Sequence, residues 1–182
     1  MTASGEKPTI GDVLTDDLPA SWVVLRLRGL ILDPNSEAPV VILREEQESV
    51  FLPIWIGAFE AHAIAMAVEG VEPPRPMTHD LLRSVIEALE AKLIRVEIFA
   101  LLEGTFHARL VVERGDGQRL EVDSRPSDAL ALALRLDAPI WAAKEVLEGA
   151  LRTSRAATAP DEEKLREWLA NASPEDLGKY PM

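Results

Sequence analysis

The chain has 182 residues, a formal net charge of -12 and no cysteine. The absence of cysteine excludes disulfides, thiol chemistry and cysteine-ligated metal sites. Its 47% apolar content is ordinary for a globular protein, and a chain of this length favours one domain. A net negative charge repels nucleic acid at long range, so a nucleic-acid partner requires a local basic patch.

The N-terminus, MTASGEKPTI, lacks the basic and apolar regions of a signal peptide, so we expect a cytoplasmic protein. No apolar run approaches the roughly 18 residues of a membrane-spanning helix, and we expect no membrane segment. Residues 1–20 are polar and contain two prolines, which indicates a flexible N-terminal arm. A compact domain is expected over residues 21–151.

Strand patterns come first in this domain. β-Branched and apolar runs predict strands at 22–32, 40–45 and 49–56, and the turn-rich DPNSEAP between the first two predicts a hairpin. A helix of small and apolar residues follows at 58–70 and ends at Gly70.

A proline-rich link separates the first helix from the second. VEPPRPM has three prolines and cannot be helical. The second helix is predicted over 78–92, with Thr78 as its N-cap. Its apolar residues form a stripe at helical spacing, which predicts a core-facing side: Leu81, Leu82, Val85, Ile86 and Leu89.

The second half of the domain reads as an antiparallel meander followed by helices. The predicted elements are strands at 93–102, 105–114 and 118–124, a helix at 126–136, a short buried strand at 139–141 and a helix at 143–151. Residues 152–160 resemble a linker, and 161–182 a helical C-terminal extension with Leu165, Trp168 and Leu169 on one face. The sequence thus predicts an α+β fold with a mixed or antiparallel sheet and packed helices.

The stretch RPSD at the start of the helix at 126–136 contains a cation in an unusual place. Ser127 or Ser124 can cap the helix, and Asp128 suits the positive end of the helix dipole. An arginine there is unfavourable by about 0.3–1 kcal/mol, so Arg125 needs an anionic partner. That partner is either a protein carboxylate or a phosphate, for which a helix N-terminus beside an arginine is a good site.

The stretch RPMTHD at the start of the helix at 78–92 repeats this order of arginine, proline, hydroxyl and aspartate. Here Arg75, Thr78 and Asp80 correspond to Arg125, Ser127 and Asp128. His79 is added, and a histidine near a helix N-terminus stays neutral and can act as a base. An exposed histidine with no function is the competing interpretation. The two similar helix starts could face one cleft.

Glu60 lies in an otherwise small and apolar helix, where a carboxylate is either exposed or buried and paired with an arginine. Carboxylates in such a cleft could hold a divalent cation through oxygen ligands, although no metal motif is present. His107 alternates with Phe106 and Ala108 in a predicted strand and is interpreted as a surface residue. The few tryptophans are interpreted as structural, which leaves no platform for base stacking.

Four stretches together resemble the bifunctional nuclease domain family: LPIWIGAFEAHAIAMAVEG, PRPMTHDLL, TFHARL and DSRPSDALALALRLDAPIW. The resemblance covers about residues 22–151. It implies an α+β fold, frequent oligomerisation and cleavage of both RNA and DNA, but no established catalytic set. The positions that match the family motifs are Glu60, Arg75, Thr78, His79, Asp80, Asp123, Arg125, Ser127 and Asp128.

The first hypothesis is therefore a nuclease acting on RNA and DNA, in a homo-oligomer such as a dimer. His79, Asp80, Glu60 and Asp128 are its candidate catalytic residues, and Arg75, Arg125, Ser127 and Thr78 its candidate phosphate ligands. Mg²⁺ or Mn²⁺ is the candidate cofactor, with Glu60, Asp80, Asp123 and Asp128 as candidate ligands. The second hypothesis is a non-catalytic regulatory module that binds a small anion or a protein in the same cleft. The third holds that the motifs only determine the fold.

Overall fold

The structure, a computed structural model, describes residues 19–34, 36–45 and 50–156. In these ranges the chain forms one seven-stranded sheet and four helices, with the helices between or after strands. The strands are β1 (Trp22–Leu32), β2 (Pro39–Glu45), β3 (Phe51–Trp55), β4 (Lys92–Leu102), β5 (Thr105–Glu113), β6 (Arg119–Ser124) and β7 (Ile140–Ala143). The helices are α1 (Ala58–Val68), α2 (Thr78–Ala88), α3 (Pro126–Leu136) and α4 (Lys144–Ala156). The α+β prediction is confirmed.

The sheet is mixed, with strand order β3-β2-β1-β7-β4-β5-β6. Two antiparallel units, β1 to β3 and β4 to β6, are joined by β7, which pairs antiparallel with β1 and parallel with β4. Both units match the predicted hairpin and meander. Strand β7 lies at the centre of the sheet because it pairs with β1 and β4, which are both distant from it in sequence. The short run PIW therefore predicted a buried strand, but it could not predict which strands lie beside it.

The core lies on the side of the sheet that carries the helices. Alternate residues of β2 point to opposite faces. Val41 and Leu43 pack with buried residues of α1, α3 and α4, whereas Val40 and Ile42 belong to a small separate cluster with Ile31. Helix α3 is the most deeply placed helix, because residues Ala129 to Ala133 are all at most 2% exposed.

Helix α2 differs from its prediction in its end and in its orientation. It stops at Ala88 because Glu90 takes a left-handed conformation (φ 55°), with the amides of Glu90 and Ala91 bonded back to Glu87 and Ile86. Because position 90 is not a glycine, no stop signal for the helix could be recognised there. The predicted core-facing stripe is also wrong: only Ile86 is buried, and Leu81, Leu82, Val85 and Leu89 are exposed.

Two further corrections concern helix ends. Met77 and Arg125 are the N-cap residues of α2 and α3, so Thr78 and Ser127 lie inside the first turns and neither helix has a side-chain cap from a serine or threonine. Helix α4 continues to Ala156, so residues 152–156 of the predicted linker are helical. The proposed extension at 161–182 and most of the arm at 1–20 lie outside the described residues. No described helix is long and apolar enough to cross a membrane.

Candidate functional site

The first turns of α2 and α3 meet, as the repeated sequence pattern suggested. Asp80 and Asp128 each occupy the third position of their helix, where a carboxylate is favoured by the helix dipole. His79 joins the two starts, because its Nε2 lies 3.1 Å from Oδ1 of Asp128. Each aspartate also receives a hydrogen bond from an arginine, but from a differently placed one.

Arg125 connects α3 to α1. Its Nε and NH2 groups donate to the Asp128 carboxylate over 2.8 and 3.2 Å, and its NH1 group donates to Oε1 of Glu60 over 3.0 Å. The anionic partner expected for Arg125 is therefore protein carboxylate. A guanidinium has five N–H donors, so about two of them stay available for a further acceptor. The Arg125 side chain is 66% exposed, which leaves these donors accessible.

The Asp128 carboxylate stays ionised despite its partial burial. Burial would raise the pKa of Asp128, but the hydrogen bonds from Arg125 and His79 outweigh it and hold the pKa below its ordinary value. The hydrogen bond to Asp128, helped by Glu60, raises the pKa of Arg125. The pair thus keeps both charges at neutral pH and fixes the orientation of His79, whose side chain is 14% exposed.

Asp80 belongs to a second ion pair, with Arg135 in the last turn of α3. Nε of Arg135 donates to Oδ1 of Asp80 over 2.6 Å, and its NH1 donates to the carbonyl oxygens of Ala63 and Ala131. The hydrogen bond from Arg135 lowers the pKa of Asp80, helped by the backbone amide of Met77. This arrangement attaches α2 and α1 to α3, and it involves Arg135, which the sequence analysis did not single out.

Arg135 could have been noticed by its position. It is the one charged residue in the last turns of the apolar run ALALALRL, where a buried cation requires a partner. Its side chain is 7% exposed. By contrast Arg75, chosen for its place in RPMTHD, is exposed, and no described residue pairs with it.

A cleft of about 490 Å³ opens beside Arg125. Its walls come from the end of β3, the start of α1, the β4–β5 turn and the start of α3. The lining residues that carry polar or aromatic groups are Trp55, Glu60, Thr105, Phe106, Arg125 and Ser127. His79 and Asp128 do not line this cleft; they lie behind Arg125.

Two local features shape the cleft. Gly57, the N-cap of α1, leaves room for the Glu60 side chain, because a Cβ at Gly57 would collide with Oε2 of Glu60. Trp55 is 53% exposed, and its Nε1 donates to Oδ2 of Asp33 over 3.0 Å. The sequence analysis interpreted the tryptophans as structural, but Trp55 also presents an exposed aromatic surface at the cleft.

The predicted metal ligands do not converge. Within the described residues, no three acidic or histidine side chains are close enough to hold a metal ion. Asp123 pairs with Arg109 in the β5–β6 register, and its neighbour Ser124 pairs with the core residue Ala108. Asp123 therefore points to the sheet face opposite α3, away from Glu60 and Asp128. The residues do not fit a protein-only site for Mg²⁺ or Mn²⁺.

The two remaining candidate phosphate ligands, Ser127 and Thr78, differ in their position relative to the cleft. Ser127 is 7% exposed and lines the cleft, whereas Thr78 is exposed at the start of α2. Of the nine motif positions, the structure brings Glu60, Arg125, Asp128 and His79 into one connected chain of contacts.

Comparison with known proteins gives a consistent assignment. Residues 41–154 match the bifunctional nuclease domain. An uncharacterised protein of Mycobacterium tuberculosis is 41% identical over 162 residues, which cover 84% of this chain and 96% of that protein. Bifunctional nuclease 1 of Oryza sativa subsp. indica is 24% identical over 119 residues, covering 64% of this chain and 35% of that protein. The chain belongs to the bifunctional nuclease domain family.

Proposed function

We propose that the chain is a nuclease that hydrolyses phosphodiester bonds of RNA and DNA in the cleft beside Arg125. The observation that carries this proposal is the contact between Glu60 and Arg125 at the cleft wall, with Asp128 and His79 behind it. The named plant relatives are bifunctional nucleases, which supports phosphodiester chemistry for a member of the same family.

Arg125 is the phosphate ligand in this proposal. Its unused N–H donors point from an exposed side chain beside the start of α3, where helix amides and the dipole also favour an anion. The charge that develops on the phosphate oxygens during hydrolysis is stabilised by a fixed cation. Asp128 and His79 act as positioning residues, because Asp128 binds Arg125, His79 contacts Asp128, and neither lines the cleft.

Glu60 is the proposed general base. One of its oxygens, Oε1, is bound by Arg125, and the side chain is 20% exposed at the cleft. In the proposed reaction Glu60 accepts a proton from the attacking water while Arg125 holds the phosphate. The water oxygen bonds to phosphorus as the P–O bond to one sugar oxygen breaks, and that sugar oxygen leaves and takes a proton from solvent. Both oxygens of Asp80 are engaged with Arg135 and the Met77 amide, so Asp80 contributes to the attachment of α2 and not to this step.

The test compares Arg125→Ala, Asp128→Asn and Glu60→Gln with wild type in nuclease assays on RNA and DNA. We expect Arg125→Ala to lower kcat/KM by roughly 10²- to 10³-fold, the effect of removing one group that stabilises transition-state charge. Arg119→Ala is the matched control, since Arg119 is also exposed and ion-paired but lies on β6. Each assay is repeated with EDTA to detect a metal that arrives with the substrate.

Because all variants are purified alike, a contaminating nuclease would give equal rates in each preparation. An Arg125→Ala variant that cleaves as fast as wild type contradicts the proposal.

The second candidate function is that of a non-catalytic module that binds a small anion in the same cleft. It is favoured by one observation: the charge of Arg125 is already matched by the carboxylates of Glu60 and Asp128.

A further inference from the structure

Two polar side chains are buried among the residues that the structure describes, and only one of them is fully hydrogen-bonded. Both oxygens of Glu97 accept hydrogen bonds from arginines, Arg95 and Arg109. The hydroxyl group of Ser127 has no hydrogen-bond partner among the described residues, although Ser127 is only 7% exposed. A buried polar group without a partner destabilises a fold, so the serine at this position needs an explanation.

The neighbours of Ser127 show that helix α3 does not require a hydroxyl group there. The buried side of the helix continues with Ala129, Ala131 and Ala133, each at most 2% exposed. Alanine is smaller, favours the helix more and would leave no polar group unpaired at position 127. Ser127 is not the helix cap either, because Arg125 is the N-cap residue. A structural role therefore does not account for this serine.

Ser127 presents two free donors to the cleft beside Arg125. It lines the cleft, and its oxygen stays accessible there, because the only fully enclosed side-chain nitrogen or oxygen without a partner in the described ranges is Nε1 of Trp141. Its amide N–H lies in the first turn, where no acceptor of the same helix is in reach. It is also the first amide of the helix, since Pro126 has none.

We propose that Ser127 is a second phosphate ligand of the cleft, an inference that rests on the proposed nuclease function. The hydroxyl and amide groups of Ser127 donate to one non-bridging oxygen of the scissile phosphodiester, and Arg125 binds the other. Hydroxyl and amide donors at a helix N-terminus are well suited to an anion. They also stabilise the charge that grows on this oxygen during hydrolysis.

Ser127 keeps its proton in this reaction and forms no bond to phosphorus. A serine nucleophile requires a base within hydrogen-bond distance. No described side chain lies at that distance from the Ser127 hydroxyl. The attacking group therefore remains the water molecule that Glu60 deprotonates, and Ser127 contributes only hydrogen bonds to the phosphate.

The first experiment compares wild type, Ser127→Ala and Ser124→Ala in the cleavage of a single-stranded oligodeoxynucleotide. We expect Ser127→Ala to lower kcat/KM at least about tenfold, because one donor to the transition-state charge is lost. Ser124→Ala is the matched control: Ser124 precedes the same helix, but its hydroxyl donates to the carbonyl oxygen of Arg125 over 3.0 Å and it does not line the cleft. Urea denaturation should show Ser127→Ala to be at least as stable as wild type, since the substitution breaks no hydrogen bond.

The second experiment tests the contact with a single phosphate oxygen. One linkage of the oligodeoxynucleotide is replaced by a phosphorothioate of Rp or Sp configuration, which places sulfur, a weak acceptor, at one or the other non-bridging position. For one configuration wild type and Ser127→Ala should cleave this linkage at nearly equal rates, because the hydroxyl group gains little from sulfur. For the other configuration Ser127→Ala should stay about tenfold slower than wild type. A distorted cleft would slow both configurations alike.

Equal kcat/KM values for wild type and Ser127→Ala overturn the inference, as does an equal defect in Ser124→Ala or a defect that is the same for both configurations. If wild type does not cleave, the nuclease proposal fails and binding decides the role of Ser127. Isothermal titration calorimetry with a thymidine dinucleotide then compares the Kd of wild type with that of Ser127→Ala. Binding that is several-fold weaker in Ser127→Ala supports Ser127 as a phosphodiester ligand of a non-catalytic module. Equal Kd values, or no binding to wild type, overturn it.

Discussion

The position of Arg125 at a helix N-terminus indicated a contact before the structure was known. A cation at a helix N-terminus is unfavourable, so the sequence required an anionic partner for it. Asp128, three residues away, was foreseeable, and Arg125 does bind it. Glu60, which lies 65 residues earlier in the chain, was a motif candidate, but only the fold shows that the same guanidinium bridges both carboxylates. Arg75, chosen by the same pattern, has no described partner, because it precedes its N-cap by two residues while Arg125 is an N-cap itself.

Trp55 is expected to stack a base of the substrate, on the basis of the proposed nuclease function. It is 53% exposed at the cleft, and its hydrogen bond to Asp33 holds the indole in place. Base stacking on an aromatic side chain contributes about 1–3 kcal/mol, so Trp55→Ala should raise KM for a single-stranded oligonucleotide roughly tenfold or more, with little change in kcat. Steady-state kinetics on single-stranded substrates measure both parameters.

Trp55→Phe is the control, since it keeps an aromatic ring and should restore most of the binding. Equal KM values for wild type and Trp55→Ala would remove Trp55 from the substrate site. Loss of kcat alone in Trp55→Ala would instead indicate that Trp55 only supports the shape of the cleft.

The attachment of α2 to α3 depends mainly on ion pairs and one buried side chain, Ile86. Arg135 is 7% exposed, so replacing its partner leaves a cation without a compensating charge. We expect Asp80→Asn to lower the free energy of unfolding by roughly 2–4 kcal/mol at neutral pH. Glu87→Gln is the matched control in the same helix: its pair with Arg83 is about half exposed on both sides and should cost at most roughly 0.5 kcal/mol. Urea denaturation gives both values.

The Asp80 contribution should also depend on pH. Its folded-state pKa lies below the ordinary 3.8, chiefly because of the hydrogen bond from Arg135. Its ionised form is thus favoured by folding, and the stabilisation is present above pH 3.8 and is lost as the pH falls through the lowered pKa. The stability difference between wild type and Asp80→Asn should shrink in this acidic range. A difference that is constant down to pH 2 contradicts the assignment.

At the scale of elements, the sequence patterns predicted those features that depend on interactions between residues close in sequence. Alternating strands, tight turns and Gly70 at the end of α1 gave element types and approximate bounds, because those signals act within a few residues. The orientation of α2 could not be predicted in this way. Its apolar stripe was correct as a pattern, but periodicity cannot say whether the apolar face meets the chain's own core or another molecule. The position of β7 within the sheet could not be predicted either, because its partner strands are distant in sequence.

The whole molecule is acidic, and most of the arginines that the structure describes are neutralised by neighbouring carboxylates. Lysine and arginine number 19 against 31 aspartates and glutamates. Several described arginines lie in ion pairs, among them Arg83, Arg95, Arg109, Arg114, Arg119, Arg125 and Arg135. The described residues are therefore not expected to form an extended basic surface that guides nucleic acid to the cleft. Among them, Arg125 and the exposed Arg75 are the candidate cationic phosphate contacts.

This charge balance predicts a weak dependence of nucleic-acid binding on salt. Each phosphate neutralised on a single strand contributes about -0.7 to the slope of log K against log salt concentration. With two candidate phosphate contacts, at Arg75 and Arg125, the slope should be no steeper than about -1.5. Salt also screens the repulsion between the phosphates and the acidic protein, which makes the slope shallower still.

Fluorescence anisotropy with the Glu60→Gln variant measures this slope, because cleavage by that variant is expected to be slow. The salt concentration is varied between 50 and 200 mM, roughly the range over which basic proteins lose most of their affinity. A slope near -3 or steeper would mean that several more cations contact the strand than the described residues offer. A slope that becomes shallower by about 0.7 in Arg75→Ala would assign one of the two contacts to Arg75.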